Sequence, residues 1–106
     1  MNQTGVYQRI GGLDQFFTLL GRAVKVEGED IAIFRTSDHH FYAMANRSPH
    51  PKGGPLAEAI VSGHYIYDPL YDWKIDMSTG EVQAPDEGKV KTYPVKVEED
   101  AVWIQV

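Results

Sequence analysis

The strongest constraint on this chain is its punctuation. Clusters of turn-forming residues, among them Glu27-Gly28-Glu29-Asp30, Thr36-Ser37-Asp38-His39, Ser78-Thr79-Gly80 and Pro85-Asp86-Glu87-Gly88, recur before any apolar pattern has run far enough for a helix of several turns. Between them lie short stretches that alternate in polarity or are rich in β-branched and aromatic residues, which is strand chemistry. Arg22 to Val26 alternates and Ile31 to Arg35 is an apolar run, so the two form a hairpin across the Glu27 to Asp30 turn. His40 to Met44 then pairs back after Thr36 to His39, which predicts a three-stranded antiparallel meander.

The rest of the chain reads in the same way. Residues Met1 to Gly12 supply a short lead strand anchored by Val6, Tyr7 and Ile10, and Asp14 to Leu20 makes one or two helical turns that serve as a connector. From Ala45 the chain enters a loop interrupted by Pro49, Pro51, Gly53, Gly54 and Pro55. Leu56 to Val61 reads as a short helical or irregular turn and His64 to Tyr67 as a strand. Asp68-Pro69-Leu70 is a second loop, and Tyr71 to Asp76 alternates. Val90 to Val97 is a strand in which Pro94, having no amide donor, must sit at an edge or a bulge. Glu98-Glu99-Asp100 joins it to a last strand, Ala101 to Val106. The expectation is one all-β domain over residues 1–106, an antiparallel sandwich or small barrel with the two loops at one end.

Composition removes several functions. The chain has no cysteine, so it has neither a disulfide framework nor a thiolate for an iron–sulfur cluster. A net charge of −5 argues against nucleic acid and anionic membrane surfaces as partners, since both are recognised through fields of Lys and Arg. Met1-Asn2-Gln3-Thr4 shows no cationic segment ahead of an apolar run, and no stretch of about eighteen apolar residues occurs. These features lead to the expectation of a soluble cytoplasmic protein.

The two loops carry a resemblance. Ser48-Pro49-His50 and Asp68-Pro69-Leu70-Tyr71 are similar to the cluster-binding segment of Rieske iron–sulfur domains, which place Cys-x-His in one loop and Cys-Pro-x-His in another so that two thiolates hold one iron and two imidazoles the other. Of those four ligand positions, here Ser48, His50, Asp68 and Tyr71, only His50 keeps the ligand type. With Asn46 to His50, Gly54 to Leu56 and Pro69 to Trp73, this Rieske-like segment with its cluster ligands gone resembles the small subunit of assimilatory NAD(P)H nitrite reductase. The resemblance implies a non-catalytic subunit with no redox centre of its own. Its expected partner is a large subunit that carries FAD, a [4Fe-4S] cluster and sirohaem and reduces nitrite to ammonium with NADH or NADPH. It also implies docking through the loop tips, Arg47, Pro49, Lys52, Pro69, Leu70 and Asp72 among them.

The residues themselves leave other readings open. A free-standing Rieske-like binding or scaffold module of another reductase or oxygenase system fits the same features. So does a mononuclear metal on His50 and Asp68, with His64 or His40 nearby, although a lone imidazole holds no transition metal without further ligands. Mechanically, Ser48, His50, Asp68 and Tyr71 are expected to cross-link the loops through a polar network, and a meeting of His50 with Asp68 would favour the charged form of each. Gly53-Gly54 lacks the following Lys-Ser or Lys-Thr of a phosphate loop and reads as a turn. Trp73 and Trp103 read as packing residues, and His39-His40 as a pair pointing to opposite faces of a strand. No nucleophile, base and acid have recognisable spacing, so no catalytic, cofactor-binding or metal residue is assigned.

Overall fold

Ile31, Ala32, Ile33 and Phe34 are completely shielded from solvent in the computed structural model, which describes residues 6–106. A strand buried on both faces needs a covering layer on each side, and the architecture follows from that need. The described residues form ten strands. These are β1 (Gln8–Gly12), β2 (Arg22–Val26), β3 (Glu29–Arg35), β4 (Phe41–Ala45), β5 (Ile60–Ser62), β6 (Tyr65–Tyr67), β7 (Lys74–Asp76), β8 (Thr92–Tyr93), β9 (Val95–Glu98) and β10 (Ala101–Ile104). They assemble as a central sheet ordered β2-β3-β4-β8, flanked by β1-β10-β9 and by β5-β6-β7, with every strand pair antiparallel.

The period-two alternation of β3 and β4 divides the core between the two flanking layers. Ile31, Ile33, Ala43 and Tyr93 pack with Phe16, Val26, Val102 and Ile104. Ala32, Phe34 and Met44 pack on the opposite side with Leu56, Val61, Ile66, Ile75 and Met77. Each fully buried side chain of this size contributes about 1.5–3 kcal/mol relative to exposure, so the doubly covered strand β3 is the keystone.

The predicted meander β2-β3-β4 is present. Its first hairpin closes on Glu27 and Gly28, both at positive φ, a primed two-residue turn whose twist suits the strands. Glu99 and Asp100 close β9 to β10 in the same way. The expected single strand from Val90 to Val97 is instead two strands in different sheets, β8 against β4 and β9 against β10. Pro94, unable to donate to a ladder, occupies the corner between them, and its carbonyl accepts the Gln105 amide at 3.0 Å.

Three further boundaries differ from expectation. Leu56 to Val61 makes a tight turn, with the Ala59 amide donating to the Leu56 carbonyl at 2.9 Å, and then becomes strand β5. Tyr71 to Asp76 is strand only from Lys74, because Asp72 takes a left-handed conformation at φ 59°. The helical connector shrinks to a 3₁₀ turn, Leu13–Gln15. Residues 1–5, the first part of the lead segment, lie outside the described residues. The small sheet β5-β6-β7 positions the site: residues 46–59 lead into β5, and residues 68–73 join β6 to β7.

Candidate functional site

The first loop is closed at its base by one side chain. Asn46 Oδ1 accepts the amides of Leu56 at 2.7 Å and Ala57 at 2.8 Å, so a polar residue at the end of β4 fixes both ends of the excursion. Inside it, the Ser48 amide donates to the Gly54 carbonyl at 2.7 Å, and buried Ser48 Oγ accepts the His50 amide at 3.1 Å. His50 Nδ1 accepts the Lys52 amide at 3.0 Å, which places the imidazole proton on Nε2. Gly54 has φ 108°, and a Cβ there would lie 2.9 Å from Leu70 Cδ1 of the second loop. The two loops therefore approach each other closely at Gly54 and Leu70.

The second loop is built on Asp68, which is only 3% exposed. Its Oδ1 accepts the amides of Leu70 at 2.8 Å and Tyr71 at 3.1 Å, a turn in which a side chain replaces a backbone carbonyl. The Asp68 carbonyl accepts the Asp72 amide at 2.9 Å, and the Asp68 amide donates to the Trp73 carbonyl at 2.9 Å. Asp68 Oδ2 is buried with no hydrogen-bond partner.

The loops meet through rings. His50 and Tyr71 stack with centroids 3.7 Å apart and planes 7° from parallel, and the Trp73 ring lies 4.9 Å from the imidazole, tilted by 55°. The predicted polar network between the loops is not formed and an aromatic clasp joins them instead: Ser48 Oγ and Asp68 Oδ1 accept amides of their own loops, and Asp68 Oδ2 meets no partner. Trp73, read from sequence as a packing residue, does pack on the core and is also a wall of the site. Its place there had no local signal, since Trp73 and His50 are far apart in the chain.

The other histidines lie elsewhere. His64 faces Asp76 at 3.7 Å and exposed His40 faces Asp38 at 3.1 Å. The Asp38 carboxyl lies below its usual range, chiefly because the Thr36 hydroxyl donates to it. Partial burial pushes the Asp76 carboxyl up, but the Ser78 hydroxyl and amide and the nearby His64 outweigh that and leave it lowered. Among the described residues, no three His, Asp or Glu side chains gather as a metal would require.

Comparison with known proteins decides the family, since the sequence pattern of the Rieske-like [2Fe-2S] domain matches residues 6–105. The chain belongs to that family. This Rieske-like domain is 32% identical over 84 residues to the ferredoxin component of a naphthalene 1,2-dioxygenase system from Pseudomonas aeruginosa, covering 78% of this chain and 79% of the relative. It is 28% identical over 94 residues to a 4beta-methylsterol monooxygenase from Methylococcus capsulatus, of whose length it spans 25%. It is also 28% identical over 102 residues to a nitrite reductase [NAD(P)H] large subunit from Klebsiella oxytoca, where 92% of this chain matches 11% of the relative. A crystal structure assigned to a nitrite reductase NADPH small subunit superposes with a TM-score of 0.84 at 25% identity, covering 95% of this chain and 99% of the other.

The cluster that gives the family its name does not fit the residues present. The chain has no cysteine, and Ser48 Oγ and Asp68 Oδ1 are occupied by amides of their own loops. The His50 ring is stacked face to face on Tyr71. What the arrangement can do is hold two loops together and present their tips. Pro51, Lys52, Pro69, Leu70 and Asp72 are exposed beside Arg47, a mixture of apolar and charged groups suited to contact with a protein.

Proposed function

We propose that this chain is the small, cluster-free subunit of an assimilatory NAD(P)H nitrite reductase and supports a large subunit carrying FAD, a [4Fe-4S] cluster and sirohaem. The observation that carries the reading is the aromatic clasp on a Rieske-like frame without a single thiolate. A ferredoxin passes electrons through its cluster, and nothing here can hold one. The likeness to the ferredoxin components therefore supports ancestry and fold, while the likeness to the nitrite reductase small subunit supports the role. In the Klebsiella relative the similar segment is 11% of the large subunit itself, so a like domain is part of the same chain there.

In this reading the loop tips, with Arg47, Pro49, Lys52, Pro69, Leu70 and Asp72, dock on the large subunit, and the clasp keeps them in one conformation. No electron passes through the chain. The alternative, a scaffold module of an oxygenase system, is favoured by the higher identity to the naphthalene dioxygenase ferredoxins. Purification of this chain from cells assimilating nitrite separates the two. Recovery of a sirohaem and flavin reductase at fixed stoichiometry is expected, and recovery of an oxygenase component, or of no reductase, would overturn the proposal.

A further inference from the structure

In a chain where 15 acids outnumber 10 bases, the first loop runs from residue 46 to 57 with Arg47, Lys52 and not one Asp or Glu. Both basic residues are exposed. Neither joins an ion pair among the described residues, where the pairs are His40 with Asp38, His64 with Asp76 and Lys96 with Glu98. The Arg47 guanidinium has a seat of its own. Gly53 is buried at φ 67°, and a Cβ there would lie 2.7 Å from Arg47 Cζ, so the charged group rests on bare backbone one residue from Lys52. The turn beneath it is fixed, since the Gly53 amide donates to the His50 carbonyl at 2.8 Å and the Lys52 amide to His50 Nδ1 at 3.0 Å.

Acids on the neighbouring segments could have claimed this arginine and do not. Glu29 and Asp30 line a cleft with Arg47, Asp72 is exposed on the second loop, and the turn that carries Asp86 and Glu87 reaches Pro49 at Gly88. None of these carboxylates is within ion-pair distance of a cation among the described residues, and Asp30 Oδ2 faces the Asn46 side-chain amide at 3.5 Å instead. The seat on Gly53 thus holds a planar, permanently charged donor in place and off the acids of its own chain. Those acids also restrict what can approach. An extended polyanion such as nucleic acid or a lipid surface would be repelled by them, whereas a single carboxylate on a protein can reach the guanidinium fork and bind it through two hydrogen bonds.

We infer that Arg47, seated on Gly53 and flanked by Lys52, receives a carboxylate of the large reductase chain when the loop tips dock. This rests on the subunit reading above and names the chemistry of the facing surface. The test measures binding of the sirohaem and flavin reductase chain, purified from the same cells, to the wild type, Arg47→Gln, Arg47→Lys, Gly53→Ala and Pro69→Ser/Leu70→Ser, each at low and high salt. Arg47 is exposed, so melts of its variants close to wild type are expected. Gly53→Ala keeps both charges and fills the seat, and the Arg47 variants remain informative if it does not fold.

The expected result is binding weakened roughly tenfold by Arg47→Gln, with a shallower salt dependence than wild type, and an intermediate loss for Arg47→Lys, which keeps the charge without the fork. Gly53→Ala should weaken binding while retaining the wild-type salt dependence. Binding that falls only for Pro69→Ser/Leu70→Ser would overturn the role of Arg47 and leave the subunit reading standing. A loss in Arg47→Gln with the salt dependence unchanged would overturn the carboxylate pairing. A wild type that binds no reductase would overturn both readings. A wild-type dimer in sedimentation that Arg47→Gln dissociates would also overturn the inference, by assigning the carboxylate to a second copy.

Discussion

If the His50 and Tyr71 rings are what ties the two loops together, their energies must be coupled, and the geometry sets how strongly. At 3.7 Å and 7° the rings are in full stacking contact, which contributes about 0.5–1.5 kcal/mol beyond the area it buries. Tyr71 is half-buried, so Tyr71→Ala loses about half of the 3–5 kcal/mol that deleting a wholly buried aromatic costs, or roughly 2 kcal/mol. In a domain of this size each kcal/mol lowers Tm by about 4–8 °C, so a fall of about 10 °C is expected. The decisive assay is a double-mutant cycle by urea unfolding on the wild type, His50→Ala, Tyr71→Ala and the double variant. The cycle cancels the Lys52 amide bond that His50→Ala also removes, because that bond lies within the first loop. A coupling of about 0.5–1.5 kcal/mol is expected. Additivity to within about 0.3 kcal/mol would refute the clasp.

Asp68→Ala deprives two amides of their acceptor, with partial relief from removing the unpartnered Oδ2, and should cost about 2 kcal/mol, whereas Asp68→Asn retains the Oδ1 acceptor and should cost less. Equal urea midpoints for Ala and wild type would eliminate the turn role. Gly21→Ala forces a methyl against the Ala57 carbonyl and should destabilise by about 1–3 kcal/mol, which a melt at neutral pH will show or deny. The Asp76 carboxyl is lowered from 3.8 in the folded chain, so the unfolded chain binds that proton more tightly. Its contribution is complete above the unfolded value and fades as pH falls through the lower folded one. Asp76→Asn should flatten the acid limb of stability measured between about pH 5 and pH 2, and an unchanged limb would count against this reading.

Much of the fold is legible because its pairings are local. The Glu27-Gly28 turn and the doubly apolar run Ile31 to Phe34 announce the central meander, and each later turn cluster falls between strands. The misreadings have physical causes. Strand β5 has three residues, too few for alternation to register, and its pairing to β6 decides it. Pro94 signals an interruption but not its kind, and only the partners of β8 and β9 reveal a passage between sheets. At the site, Ser48, His50, Asp68 and Tyr71 were visible as positions, while their relation was not. Whether Asp68 spends its oxygen on its own amides or on His50 depends on how tightly the loop turns, which residue types alone do not determine.

That difference bears on how a Rieske-like frame can do without its cluster. A metal staple bridges two loops that would otherwise have little to hold them together, so losing the ligands ought to release them. Here each loop is closed on itself, the first by Asn46 and Ser48 and the second by Asp68, through hydrogen bonds that do not depend on the contact between them. The contact of Leu70 with Gly54 and the stack of His50 on Tyr71 then need only align two preformed units, which costs little conformational entropy. Stacking supplies geometry without electrons. In a chain without cysteine, the two loops keep a fixed relation through their rings and their own amides alone.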